Sequence, residues 1–163
     1  MSETEKLLKA NENYAASAFP GKLPMPPSRH VAVLACMDAR LIVSQILGLK
    51  AGEAHIIRNA GGIATDDAIR SLIISNELLG TKEFLVINHT DCGMLTFKDC
   101  DLQEILRTKY GQDVSIKFYS FPNLEENVRR QVATIRNHPL IPKTIPVTGY
   151  IYEVESGKLR KVA

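Results

Sequence analysis

Two short clusters in this chain combine thiol, imidazole and charged groups. Cys36, Asp38 and Arg40 alternate in the motif C-M-D-A-R, and His89 and Cys92 bound the motif H-T-D-C. Thiolate and imidazole are the ligands that a borderline-soft cation such as Zn2+ prefers. Cys36, His89 and Cys92 therefore predict a Cys2His zinc site. Three protein ligands leave a fourth position open for water or substrate, which is the pattern of catalytic zinc.

Asp38 and Arg40 are spaced to form a bidentate ion pair. Two thiolates cancel the charge of Zn2+, so a bound water is harder to ionise than it is beside three neutral histidines. A carboxylate that accepts a hydrogen bond from zinc-bound hydroxide would orient the hydroxide for attack, with Arg40 holding Asp38 in place. Without Arg40, Asp38 can itself ligate zinc, which makes it a conditional fourth ligand in a closed state.

The same residues also allow less specific interpretations. Two cysteines at strand ends can be small buried hydrophobes or a redox pair, although no C-x-x-C motif supports a redox pair. Asp38 and Arg40 can be a surface ion pair that contributes little to stability.

Gly61-Gly62 lacks the G-x-G-x-x-G pattern of a nucleotide site. We expect these two glycines to allow close backbone approach near the metal and to contribute to substrate binding. Cys100 belongs to neither cluster, and we expect it to be structural.

Each cluster directly follows an apolar run that predicts a strand. If the runs at 30–35 and 83–88 are neighbouring parallel strands, both clusters lie at the carboxyl edge of one sheet, where ligands bind. Strands and helices alternate along the chain, which predicts an α/β fold with a mainly parallel central sheet flanked by helices. The predicted strands are 30–36, 54–58, 83–88, 114–119 and a final antiparallel edge strand with a hairpin turn over 145–157; the predicted helices are 41–49, 66–79, part of 99–110, and 123–137.

The N-terminal segment differs from the rest of the chain. Residues 2–18 predict a helix whose apolar face is thin, and the Pro-rich residues 20–27 predict a stiff extended connector. We therefore expect one domain over 1–163, with a helical arm and connector at 1–28 and an α/β core at 29–163. Such a helix finds little to pack on in its own domain, so docking on a second subunit is expected.

Composition limits the classes of protein to which the chain can belong. Its 163 residues are 45% hydrophobic and 23% charged, as in a soluble globular domain. The formal net charge of +2 comes without a basic block, which argues against nucleic acid as a partner. No apolar run reaches the roughly 20 residues that cross a bilayer. Three cysteines and a polar N-terminus predict reduced thiols and a cytoplasmic location.

Together the motifs resemble those of the β-class carbonic anhydrases, in their small prokaryotic branch. The matching motifs are C-x-D-x-R at Cys36, H-x-x-C at His89, R-N-A-G from Arg58 and M-P-P-S from Met25. The resemblance extends through most of the chain. It implies zinc on the two cysteines and the histidine, an Asp38–Arg40 dyad, and a homodimer or dimer of dimers with active sites at the subunit interface and wrapping arms. The implied activity is the reversible hydration of CO2 to bicarbonate and a proton by zinc-bound hydroxide, a lyase reaction.

Two alternatives remain open at the level of sequence. Relatives that hydrolyse carbonyl sulfide or carbon disulfide carry the same zinc ligands, so the motifs do not separate these substrates. The second alternative is a non-catalytic zinc-binding regulatory protein in which Asp38 is permanently the fourth ligand.

Overall fold

The computed structural model, which describes residues 1–163, contains one five-stranded sheet. Its strands are β1 (Val31–Cys36), β2 (Ala54–Asn59), β3 (Glu83–His89), β4 (Val147–Tyr152) and β5 (Leu159–Lys161). Their order is β2-β1-β3-β4-β5, and only β5 runs antiparallel to its neighbour. The predicted α/β fold with a final antiparallel edge strand is confirmed. The predicted tail strand belongs to parallel β4, and the antiparallel strand is the short β5 that follows the turn at Gly157.

Helices connect the strands and precede the sheet. They are α1 (Glu3–Ser17), α2 (Val43–Ile46), α3 (Asp66–Glu77), α4 (Asp99–Tyr110) and α5 (Leu124–Asn137). Three of them begin at side-chain caps: Ser2 accepts from the backbone N–H of Glu5, Thr65 from that of Ala68, and Asn123 from that of Glu126. The helix predicted at 41–49 is a single turn. None of the helices combines the length and the hydrophobicity that crossing a bilayer requires.

The register of the sheet brings the strand ends together. Ala35 of β1 lies beside Ile87 of β3, and Cys36 lies beside Asn59 of β2. Both predicted clusters therefore leave the sheet at the same carboxyl edge. From Ala32 to Cys36 every residue of β1 is buried, as expected for a central strand of a parallel sheet.

The two faces of the sheet are covered unequally. On one face, α3 and α5 pack on the strands, and Leu34, Phe84 and Ile135 belong to the largest buried apolar cluster. On the other face, the buried cluster consists of Val33, Ala35, Val43 and Ile87, of which only Val43 comes from a helix, the one-turn α2. Neither α1 nor α4 buries a single residue. The second face therefore has less helical cover, although the four residues of its cluster are buried, and α1 and α4 contribute no buried residue in a single chain.

The strand predicted near 114–119 is absent, and this prediction was wrong. The backbone N–H groups of Phe118, Tyr119 and Ser120 all donate to the carboxylate of Asp99, at 2.9, 3.0 and 2.8 Å. Tyr119 has φ +62°, which a strand does not allow. A carboxylate at the start of α4 thus takes the hydrogen bonds that a neighbouring strand would have taken.

This anchor predicts a pH-dependent contribution to stability. Burial opposes ionisation of Asp99, but the hydrogen bonds from Ser120, Tyr119 and Phe118 outweigh it and hold the pKa of Asp99 below its ordinary value. A carboxyl group whose folded pKa is depressed stabilises the fold above its unfolded pKa of about 3.9, and the contribution is lost as the pH falls through the folded pKa.

We therefore expect Asp99→Asn to lower the free energy of unfolding by about 1–2 kcal/mol at neutral pH, with the difference shrinking below about pH 4. Urea denaturation across pH measures it. Asp101→Asn on the same helix removes an exposed carboxylate that accepts no backbone hydrogen bond, and it should have little effect. A constant difference down to about pH 2 would contradict the assignment.

Candidate metal centre

Three residues converge at the carboxyl edge of the sheet. Cys36 ends β1, His89 ends β3, and Cys92 follows in the turn that leads to a 3-10 helix at Gly93–Leu95. One ligand atom from each lies within 4.8 Å of the other two. Their exposed fractions are 4%, 0% and 3%. Such a group of three soft donors in a buried site can bind one metal ion.

His89 presents an unpaired ring nitrogen to this site. Its Nδ1 lies 2.8 Å from the carbonyl oxygen of Thr90, which can only accept, so Nδ1 carries a proton, and in the neutral imidazole Nε2 carries the lone pair. Nε2 is fully buried and has no hydrogen-bond partner, and Oδ2 of Asp38 lies 3.7 Å away, beyond hydrogen-bond range. A buried polar atom without a partner is costly. A metal ion at this position would satisfy it, so the residues fit the metal.

The charges of the site also favour a cation. The neighbouring Cys92 thiol lowers the pKa of Cys36 against the effect of burial, while the nearby Cys36 and burial raise the pKa of Cys92. Burial opposes a charge on His89, but the Cys36 thiolate outweighs it and raises the pKa of the imidazole. The cluster thus retains protons that compensate its negative charge. A bound metal would replace those protons, so metal binding should release them.

Asp38 and Arg40 form the predicted bidentate pair beside the three ligands. Nε and Nη2 of Arg40 donate to the two carboxylate oxygens at 2.9 and 2.8 Å, and the backbone N–H of Arg40 donates to Oδ1 at 2.9 Å. The side-chain hydrogen bonds from Arg40 hold the pKa of Asp38 well below its usual range. Asp38 is therefore an ionised acceptor at the edge of the metal site.

Asp91 and Arg58 hold the Asp38–Arg40 pair in place. The sequence alone assigned no role to either residue. Asp91 accepts from Nη1 of Arg40 at 2.6 Å through its carboxylate and from Nη2 at 2.9 Å through its backbone carbonyl. Arg58 donates to the carbonyl oxygens of Cys36 at 3.0 Å and Asp38 at 2.7 Å. Arg58 thus fixes the backbone that carries Asp38, and Asp91 fixes the guanidinium that holds it. Both lie inside quoted motifs, but spacing alone does not show which groups they contact.

The two glycines occupy different positions at the site. Gly61 lines a cavity of about 170 Å3 together with Cys36, Asp38 and Cys92, and the apolar walls of this cavity include Met94. Gly62 lies behind it, where a Cβ would approach the backbone nitrogen of Cys36 to 3.0 Å. The expected close backbone approach is therefore present at Gly62. Binding of substrate by either glycine is still a prediction.

Cys100 lies apart from the metal site. It is exposed in the first turn of α4, where its thiol donates to Asp101 at 3.3 Å. In a single chain this thiol contributes no packing to the core, and the expected structural role of Cys100 is still a prediction.

Comparison with known proteins agrees with this geometry. A sequence model of the family described as Carbonic anhydrase matches residues 31–112. Beta-carbonic anhydrase 1 of Mycobacterium tuberculosis is 48% identical over 162 residues, which cover 99% of each chain. The crystal structure of carbonic anhydrase from Streptococcus mutans superposes with a TM-score of 0.95 at 44% identity, over 100% of this chain and 99% of that one. The chain belongs to the β-carbonic anhydrase family, a family of zinc enzymes.

A relative with a different substrate is also similar. Carbon disulfide hydrolase from Acidianus is 39% identical over 178 residues, covering 94% of this chain and 86% of the hydrolase. This identity is lower than that of the mycobacterial carbonic anhydrase. The comparison therefore favours carbonic anhydrase over the hydrolase.

Two effects of adding a side chain at Gly62 can be separated: the strain of a left-handed backbone and the overpacking against neighbouring atoms. Gly62 has φ +60°, and Gly48 has φ +62° with open space where a Cβ would lie. Gly48→Ala should cost only the left-handed strain of about 1–2 kcal/mol. Gly62→Ala should cost a further 1–3 kcal/mol, roughly, from overpacking against β1 and should weaken metal binding. Urea denaturation and metal titration of both variants measure this, and equal losses in the two would refute the packing role.

Proposed function

We propose that this protein catalyses the zinc-dependent reversible hydration of CO2 to bicarbonate and a proton. The observation that carries the proposal is the buried Cys36–His89–Cys92 triad, with its unpaired imidazole nitrogen, beside an ionised Asp38. Cys36, His89 and Cys92 would hold the metal. Zinc, when bound, lowers the pKa of a coordinated water and so supplies a nucleophile near neutral pH.

Asp38 would orient that nucleophile. It lacks a proton because of Arg40, so it can only accept a hydrogen bond. An acceptor in a fixed place holds the O–H group toward itself and leaves a lone pair free to face CO2, which is positioning of the kind that lowers a barrier. Arg40 acts through Asp38, and Asp91 acts through Arg40.

The same pair would control the closed state that the sequence predicts, in which Asp38 ligates the metal. Oδ2 of Asp38 lies 3.7 Å from Nε2 of His89 and is held by Nη2 of Arg40. Rotation of Asp38 onto the metal would have to break this bidentate pair. We therefore propose that Asp38 becomes a fourth ligand only when Arg40 releases it.

The cavity suits a small substrate that offers little to hydrogen-bond. Its volume is about 170 Å3, and Met37, Ala60 and Met94 supply apolar surface opposite Asp38. CO2 can be held there by packing while its carbon faces the nucleophile. Carbonyl sulfide and carbon disulfide share this shape, and the similarity to carbon disulfide hydrolases makes their hydrolysis the second candidate function. The intact Asp38–Arg40 pair argues against a purely regulatory zinc protein.

Substitution of a ligand and of the orienting carboxylate should separate metal binding from catalysis. We expect Cys36→Ser to lose zinc. Asp38→Ala should keep zinc but lose CO2 hydration by about 100-fold or more, because the nucleophile is no longer oriented. Atomic absorption measures the zinc content, and stopped-flow assays over a range of pH measure the turnover.

The matched control is Asp101→Asn, which changes an exposed carboxylate away from the site and should retain full activity. Carbonyl sulfide and carbon disulfide tested on the same wild-type preparation should turn over more slowly than CO2. Full CO2 hydration by zinc-loaded Asp38→Ala would refute the mechanism, and faster turnover of a sulfur substrate would favour the second function.

We also propose that the chain is a homodimer, in which residues 1–28 form an arm and residues 29–163 form the core. The apolar side chains of α1, including Leu7 and Leu8, are 69% and 62% exposed, and α1 buries nothing in its own chain. On the sheet face that α2 covers, partly buried apolar side chains such as Val31, Leu85 and Tyr150 offer surface that such an arm could cover. Assembly of two dimers into a larger particle is compatible with the remaining exposed surface.

Charging the apolar stripe of the arm should dissociate the dimer. We expect Leu7→Lys with Leu8→Lys to sediment at half the mass of the wild-type protein, because buried lysines oppose docking. Asn13→Lys with Ser17→Lys adds the same charge to polar positions away from the Leu7–Leu8 stripe of α1 and should remain dimeric. A wild-type protein that sediments as a monomer would exclude the proposed assembly.

A reducing compartment such as the cytoplasm is the location we propose. All three cysteines are free, and the thiols of Cys36 and Cys92 lie close enough to be at risk of oxidation. Reduced thiols are needed for metal binding, and the cytoplasm keeps them reduced.

A further inference from the structure

Three buried amide side chains connect α5 to the metal centre. Asn88, Asn127 and Gln131, which we call the amide relay, are only 1%, 1% and 3% exposed. Asn88 directly precedes His89 on β3, and the other two lie one turn apart on α5. Buried polar side chains are costly unless their hydrogen bonds are made, so each of these three side chains requires hydrogen-bond partners.

The hydrogen bonds of the relay run in one direction from α5 to the Gly61–Gly62 loop. Nε2 of Gln131 donates to Oδ1 of Asn127, and Nδ2 of Asn127 donates to Oδ1 of Asn88, both at 2.8 Å. Nδ2 of Asn88 then donates to the carbonyl oxygen of Gly61 at 2.8 Å. Each amide is oriented by the next, so the position of the Gly61 carbonyl is linked to the position of α5.

The relay holds the loop at both ends. Oε1 of Gln131 accepts from the backbone N–H of Ala64 at 3.0 Å, two residues beyond Gly62. The loop between these anchors has left-handed backbone at Gly61 and Gly62 and packs against the backbone of Cys36. Hydrogen bonds at both ends therefore hold this glycine loop against the end of β1.

The loop meets the metal site at Cys36. Gly61 lines the metal cavity beside Cys36, and a Cβ at Gly62 would come within 3.0 Å of the Cys36 backbone nitrogen. The groups packed around a ligating residue fix its position, and such outer contacts tune the metal that the ligand holds. This matters in a centre where two thiolates cancel the charge of the metal.

We propose that the amide relay is a positioning device for the metal centre: it holds the Gly61–Gly62 loop against Cys36 and so sets the position of this metal ligand from α5. The inference rests on the proposed zinc function and adds Asn88, Asn127 and Gln131 to the residues on which that function depends. None of the three reaches the cavity, so they act through Gly61 and not on the substrate. An apolar core at the same place would pack as well but would not orient the loop.

Asn127→Leu tests the relay, since leucine is similar in size and makes no hydrogen bond. In cobalt-substituted protein we expect a shifted thiolate-to-cobalt charge-transfer band. In zinc protein we expect an affinity about 10-fold weaker by chelator competition, with a lower kcat and an unchanged KM. Gln131→Met breaks the relay one residue further from the metal and should change the same quantities in the same direction.

The matched control is Val132→Ala, which loosens the buried core on the same helix without touching the relay. It should lower Tm while leaving the cobalt band and the zinc affinity as in the wild-type protein. If Asn127→Leu and Gln131→Met lower Tm but also leave both quantities unchanged, the relay is only structural and the proposal is overturned. A wild-type protein that binds neither cobalt nor zinc would instead overturn the metal function itself.

Discussion

The parallel pairing of β1 with β3 is the constraint on which the site depends. Cys36 and His89 are far apart in the chain, and only adjacent parallel strands in this register bring their ends to one edge. The burial of both strands on both faces makes the register costly to change, because a shift by one residue would turn each apolar side chain to the opposite face. Core packing and metal geometry are therefore set by the same hydrogen-bonded ladder.

Electrostatics explains why so many groups surround three ligands. Two thiolates and a carboxylate bring more negative charge than a divalent cation carries, and the two cysteines are buried. Arg40 pairs with Asp38, and Arg58 binds the backbone carbonyls that would otherwise add negative potential. The metal can then remain electrophilic despite its ligands. Loss of any one of these groups should alter the behaviour of the others, as in any buried polar network.

A single chain buries no residue of α1 and covers the two faces of its sheet unequally. One sheet face has the cover of α3 and α5, whereas the other has a single turn of helix, and α1 extends without burying a residue. Leu7 and Leu8 of the arm are exposed, and the second sheet face carries partly buried apolar side chains such as Leu85 and Tyr150. In the proposed homodimer each would cover the other in a second copy. The proposed assembly would then reach the sheet face that contains Ala35, the residue before Cys36.

The sequence by itself determined which residues could ligate a metal, the Asp38–Arg40 pair and the alternation of strands and helices, because these follow from residue type, short spacing or a local hydrophobic period. That Cys36 meets His89 depends on the pairing of β1 with β3. The sequence did not reveal the role of Asp91, whose contact with Arg40 requires a left-handed backbone at that residue, or the relay from Asn127 to Asn88, which spans 39 positions. It also wrongly predicted a strand near 114–119, since the partner of that segment is the distant carboxylate of Asp99. Local spacing encodes which chemistry is available, but only the folded chain decides which distant hydrogen-bonding groups meet.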